Sequence, residues 1–213
     1  MPQRPSQRST NVAYYWRNRQ QEIRRVRTRQ EATVTLLRDH RHRPCADCGE
    51  VMEPHQMDFD HRDPAGKLFR LTESRAMLMP RGRLMAEISK CDVVCANCHR
   101  MRTRAAFAAS ARRTLGRGSS TYLDRKRARW QDQARLLDRL RDLPCADCGR
   151  RFSPCAMDFD HRDPGLKRYG VTRMIGRAGT ARILAEVAKC DIVCANCHRS
   201  RTLARRAGLS KRE

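Results

Sequence analysis

Aromatic side chains are scarce in this chain: 5 Phe, 4 Tyr and 2 Trp among 213 residues. Acidic residues are also few, 23 against 46 Lys and Arg. No run of 18 or more apolar residues occurs, which excludes a helical membrane span. The opening stretch from Met1 to Asn11 is polar and basic, so a secretory leader is not expected and a cytoplasmic location is. With 32% of residues charged, no large core can form, and small units of this kind need a metal or disulfides to stay folded. The shortage of acid leaves a net charge of +23 and a pI near 10.8. Solubility needs far less than this, and a polyanion, nucleic acid above all, is the expected partner. An anionic membrane surface fits less well, because no basic amphipathic segment carries a strong apolar face.

What is abundant is cysteine, 11 residues, most of them in a repeat. Cys45-Ala-Asp-Cys48-Gly, Met57-Asp-Phe-Asp-His61-Arg-Asp-Pro64 and Lys90-Cys-Asp-Val-Val-Cys95-Ala-Asn-Cys98-His99-Arg100 form the first copy. The second reads Cys145-Ala-Asp-Cys148-Gly, Met157-Asp-Phe-Asp-His161-Arg-Asp-Pro164 and Lys189-Cys-Asp-Ile-Val-Cys194-Ala-Asn-Cys197-His198-Arg199. Two CxxC pairs bring four thiolates from opposite ends of a unit, the set that tetrahedral zinc prefers. Cys45, Cys48, Cys95 and Cys98 are one zinc site; Cys145, Cys148, Cys194 and Cys197 are the other. A redox reading of the CxxC pairs fails because no βαβ pattern surrounds them. Cys91 and Cys190 match each other and read as buried thiols. Cys155 stands where the first copy has His55, so neither is expected to have a required role.

The repeat divides the chain into a basic tail (1–10), a first unit (11–110), a linker (111–121), a second unit (122–207) and a tail (208–213). Each unit opens with a helix: Ile23, Val26, Val34 and Leu37 fall near one face, as do Leu123, Trp130, Ala134, Leu137 and Leu140. Met57-Asp-Phe-Asp alternates as a half-buried strand does, and Val93-Val94 with Ile192-Val193 mark a second strand. A short helix is expected at Leu84–Ile88 and Ile183–Val187. Another should follow the last knuckle, from Ala96 to Arg113, where Ala and Arg dominate without Gly or Pro.

Asp60-His61 and Asp160-His161 lie outside the zinc sets, and a further His follows each final cysteine. With Cys45-x-x-Cys48, Asp-Phe-Asp60-His61 and Cys95-Ala-Asn-Cys98-His99, each unit resembles the HNH endonucleases. The resemblance implies a small zinc-stabilised α+β fold, two tandem ββα-metal units each preceded by a helix. It implies His61 and His161 as general bases. Asp60 with His99, and Asp160 with His198, would hold a catalytic Mg²⁺ or Mn²⁺. Asp58 and Asp158 share the strand face of Asp60 and Asp160 and are further ligand candidates. Between Lys90 and Asp92, where the family carries a middle Asn, this chain has none in either copy. Asn97 and Asn196 read as turn residues of the knuckle. Neighbours on a regular strand face opposite sides, so Asp60 and His61 converge only if the strand bends near Pro64.

The function expected from this is hydrolysis of DNA phosphodiesters at two potential sites per chain. The same chemistry on RNA, and a zinc-dependent nucleic-acid-binding protein that does not cut, are the alternatives. Arg62, Lys67 and Arg100, with Arg162, Lys167 and Arg199, are the candidate phosphate contacts. A base-reading role, where there is one, is expected of the leading helices and of the arginines between 24 and 29 and between 125 and 129.

Overall fold

The computed structural model describes residues 7–111 and 121–208. Its elements in chain order are α1 (Gln7–Arg41), β1 (Met57–His61), α2 (Glu73–Ala76), α3 (Arg81–Ile88), β2 (Cys91–Cys95) and α4 (Ala96–Ala111). The second half repeats most of them as α5 (Thr121–Leu140), β3 (Met157–His161), α6 (Thr180–Val187), β4 (Cys190–Cys194) and α7 (Ala195–Arg206). The result is a small α+β structure with two two-stranded sheets, β1 with β2 and β3 with β4. α1 begins at Gln7, inside the stretch expected to be a tail. Most of the expected linker and of the C-terminal tail lies outside the described residues. No helix among the described residues is long and apolar enough to cross a membrane.

The compact units do not follow the repeat boundary. Among the described residues, one comprises 7–43 and 61–92; the other comprises 44–60, 93–111 and 121–208. The first therefore holds α1 with the inserted segment between the strands. Leu37, Phe69, Leu71, Ala76, Leu84 and Ile88 are its buried apolar residues. The guanidinium of Arg29 donates to the Met79 carbonyl, and that of Arg41 to the Leu71 carbonyl. Ile23 and Val26 remain about half exposed, so only the C-terminal turns of α1 reach the core.

The second unit holds the knuckles of both copies and the whole of the second repeat. Leu137 is fully buried with Val171, Met174 and Ile183, and Phe159 packs against them. Its place in the repeat matches that of Leu37, each standing the same distance before the first CxxC of its copy. Gln133, nearly fully buried, reaches the inserted segment twice, donating to the Ala178 carbonyl and accepting from the Gly176 amide at 2.7 Å. Gly176 has φ +72°, and a Cβ there would meet Trp130 at 3.0 Å, so only glycine fits. In β3–β4 the antiparallel register pairs Met157 with Cys194 and His161 with Cys190.

Within this unit the copies contact each other reciprocally, as in an isologous dimer joined by one chain. α7 packs on the 3-10 turn Pro54–Gln56, and α4 on the turn Pro154–Ala156. The backbone amide of Asn97 donates to Asn196 Oδ1 at 3.3 Å, and that of Asn196 to Asn97 Oδ1 at 3.2 Å. Both asparagines are buried. They are joints between the copies, which their position inside the knuckle did not announce. His55 also works here, its Nε2 lying 2.9 Å from Ser200 Oγ.

Candidate functional site

The cysteine sets assemble as their spacing requires. In each of the two groups the four sulfurs lie within 4.8 Å of one another. Zinc–sulfur bonds of about 2.3 Å in a tetrahedron put sulfurs about 3.8 Å apart, so the sets fit the ion. The CxxC turn closes because Gly49 and Gly149 take positive φ, letting their amides donate back to the carbonyls of Cys45 and Cys145 at 2.9 Å. Burial raises the Cys45 thiol, but hydrogen bonds from the backbone of Cys48, Cys95 and Asp47 outweigh it and bring it to about 7. Cys98 moves the other way, pushed up by burial and by the neighbouring Cys95 and Cys45 sulfurs. Four thiolates this close need a bound cation to ionise together. Cys190 stays apart from the set, buried, its thiol raised to about 11 mainly by burial.

Beside each knuckle stands the second constellation. Residues 158 and 160 share one face of β3, and both reach His198 on α7. Asp158 Oδ2 lies 2.7 Å from Nδ1 of that ring, and Asp160 Oδ1 lies 3.4 Å from Nε2. The first copy repeats this: Asp58 to His99 Nδ1 at 2.8 Å, Asp60 to Nε2 at 3.5 Å. One carboxylate thus fixes the tautomer, and the other meets the remaining ring nitrogen. That is the pattern of a metal-binding histidine with its orienting acid. Cis donors on octahedral Mg²⁺ are about 3 Å apart, so Asp60 and His99 fit a divalent ion that keeps most of its waters. Among the described residues, only the two cysteine sets gather three or more donor residues. The other acids serve the pair as neighbours.

Phe159 and His161 occupy the opposite face. His161 Nε2 lies 2.8 Å from Glu186 Oε1 on α6, and both side chains are buried. The strand stays regular through His161, so Asp160 and His161 part to different helices as strand alternation dictates. No bend within β3 brings them together. In the first compact unit, His61 Nε2 makes the same 2.8 Å bond to Glu87. Glu87 also accepts from the amides of Leu68 and Phe69 and from Lys90 Nζ. These bonds, led by Lys90 and His61, overcome burial and hold the Glu87 carboxyl at about 2. Glu186 is held at about 2 chiefly by Lys189, with His161 and the amides of Arg168 and Tyr169 adding to it. The sequence reading missed both glutamates. Their signal was the Ala-Glu that recurs, in register, inside an otherwise divergent insertion.

The candidate phosphate contacts divide into three kinds. Lys67 and Lys167 are exposed. The exposed Arg62 clamps the carbonyls of Ser89 and Cys91, and Arg162 those of Ala188 and Cys190. Arg100 and Arg199 cross between the copies. Arg100 Nη1 lies 2.6 Å from Asp158 Oδ1, and Arg199 Nη2 lies 2.6 Å from Asp58 Oδ2. The acid that orients each metal-type histidine is therefore braced by the other copy. Burial raises Asp58, yet His99 and Arg199 hold it at about 2; His198 and Arg100 do the same for Asp158. An open pocket of about 440 Å³ beside His99 is lined by Arg100, Arg104 and Arg199 with Asp58.

The copies differ at Asp60 and Asp160. Arg102 Nη1 lies 3.1 Å from Asp60, and Arg201 Nη1 lies 3.1 Å from Asp160. Asp160 has a second arginine: Arg205 donates Nη1 to Oδ1 and Nη2 to Oδ2, both at 2.8 Å. The matching residue on α4 is Ala106, which is exposed. Side-chain exposure is 23% at Asp60 and 4% at Asp160. No family model matches the chain, and no curated protein or solved structure resembles it closely enough to count as a match.

Proposed function

We propose that this chain is a metal-dependent nuclease of the HNH kind, built from two ββα-metal units and hydrolysing DNA phosphodiesters. The observation that carries the reading is two differently served histidines in each copy, one on the helix after the last knuckle and one ending a strand. One is oriented by an acid, with its free nitrogen toward a second carboxylate; the other is oriented by a buried glutamate. A structural zinc unit needs neither, and this chain has both twice. A divalent ion at the Asp–His pair would neutralise charge on the phosphate and the leaving oxygen. Glu87 holds His61 through Nε2 and leaves Nδ1 to accept a proton from water. Asp58 keeps Nε2 of His99 directed at Asp60. The surplus of basic residues would gather the backbone, with affinity falling steeply as salt rises.

One observation favours a non-cutting nucleic-acid binder: both copies' acids already carry arginine partners. RNA as substrate would use the same groups. Plasmid cleavage with Mg²⁺ or Mn²⁺ decides. Wild type should nick or linearise DNA, and the double variant His61→Ala, His161→Ala should lose at least a hundredfold in rate. Cleavage undiminished in the double variant defeats the assignment. Binding without cleavage by zinc-loaded wild type selects the second reading.

A further inference from the structure

The two Asp–His pairs share residues and spacing but not surroundings, and the difference lies on the C-terminal helices. Position eleven of α7 is Arg205, and position eleven of α4 is Ala106. Arg205 grips both oxygens of Asp160 in a planar fork, the arrangement in which a guanidinium binds a carboxylate most strongly. Arg201 adds a third donor to Oδ2. The oxygen that faces His198 Nε2 is the one that receives Arg205 Nη1. A divalent ion would need that oxygen's lone pair and would enter beside two resident positive charges. Asp60 carries the Arg102 contact on Oδ2, while Oδ1, toward His99, meets no arginine among the described residues.

We infer that Arg205 is a built-in counter-cation that takes the place of the divalent ion in the second copy. Of the two matching pairs, Asp60–His99 is the only one that binds Mg²⁺ or Mn²⁺. This rests on the reading of the Asp–His pairs as cation sites and deepens it by assigning the ion to one copy. The second copy keeps its histidine and acids in a self-neutralised form.

The test is Mn²⁺ binding to the zinc-loaded full chain, counted by electron paramagnetic resonance of the free ion. Wild type should bind one Mn²⁺. Asp60→Asn should abolish it, and Asp160→Asn should leave it within twofold. Arg205→Ala makes the second copy match the first and should raise the count to two. Ala106→Arg, at an exposed helix position, should weaken the single site at least tenfold, and keeps the test open if Arg205→Ala fails to retain two zinc ions. Two Mn²⁺ ions on wild type, or loss with Asp160→Asn and retention with Asp60→Asn, overturns the inference while leaving the cation-site reading intact. A folded Arg205→Ala protein that stays at one ion overturns it as well, as does Ala106→Arg with unchanged affinity. No Mn²⁺ on wild type overturns the cation-site reading itself, and the inference falls with it.

Discussion

Glu87→Gln is nearly isosteric, so what it measures is the charge. The carboxylate accepts four bonds: His61 at 2.8 Å, the Leu68 amide at 2.8 Å, the Phe69 amide at 3.3 Å and Lys90 Nζ at 2.9 Å. A glutamine oxygen can keep the two amides, but its NH₂ then faces an ammonium, and the bond to His61 loses its charge assistance. Charged bonds contribute about 1.5–3 kcal/mol each. The Lys90 side chain is 38% exposed and so counts at the low end. A loss of about 3 kcal/mol follows, which for a chain of this size is a fall of roughly 6–12 °C in Tm. Glu87 is held at about 2 in place of its usual 4.5, a depressed carboxylate. Its contribution is therefore complete above pH 4.5 and disappears as pH falls toward 2. The gap between wild type and variant should be equal at pH 7 and pH 5 and begin to narrow below that, down to the pH at which acid strips the thiolate-bound zinc that both proteins need to fold. The assay is urea and thermal unfolding of zinc-loaded protein at each pH. A gap under 0.5 kcal/mol at pH 7, or one that widens on acidification, refutes the reasoning.

The cysteine sets predict two zinc ions per chain by elemental analysis, one in Cys45→Ser or Cys145→Ser, and cooperative loss of far-ultraviolet signal when a strong chelator is added. Structural zinc contributes roughly 10–16 kcal/mol, more than a small unit's whole stability, so a chelated chain that keeps its helical signal contradicts the assignment. Asn97→Ala leaves the buried Asn196 amide without an acceptor and should cost about 1–3 kcal/mol, with Asn196→Ala adding less than its own single cost. A double-mutant cycle on Asp58 and Arg199 should return a coupling of about 1–2 kcal/mol; a value near zero would mean that the brace between the copies carries no energy.

What the sequence made legible follows from how local each signal was. The zinc sets were readable because CxxC fixes two ligands within one turn, and the repeat supplies the other pair. Leu37 and Leu137 were readable as core because they sit at helical spacing before a fixed landmark. The strand face was readable too: period-two alternation puts residues 58 and 60 together and residue 61 opposite, and the structure keeps that alternation where convergence had called for a bend. The glutamates under the histidines were not read, because they sit 26 and 25 positions away in a segment whose lengths differ between copies. Nor were the reciprocal joints: Arg199 meets Asp58 across 141 positions, and Asn97 meets Asn196 across 99. In a single sequence, nothing marks an arginine as binding a carboxylate rather than a phosphate.

Those joints change what the agreement between the copies means. Identity at Asp58, His99 and Arg100 and at Asp158, His198 and Arg199 is what two sites kept for chemistry would show. Yet Arg199 braces the acid that orients His99, and Arg100 braces the acid that orients His198. Each copy's residues are therefore held in place by the geometry of the other. If Arg205 fills the second cation site, Arg199 and the helix that carries it remain indispensable, because they support Asp58. Matching sequence then reflects a shared interface as much as shared catalysis. The residue that separates the two roles is the mismatch, Arg205 against Ala106, and not any of the positions at which the copies agree.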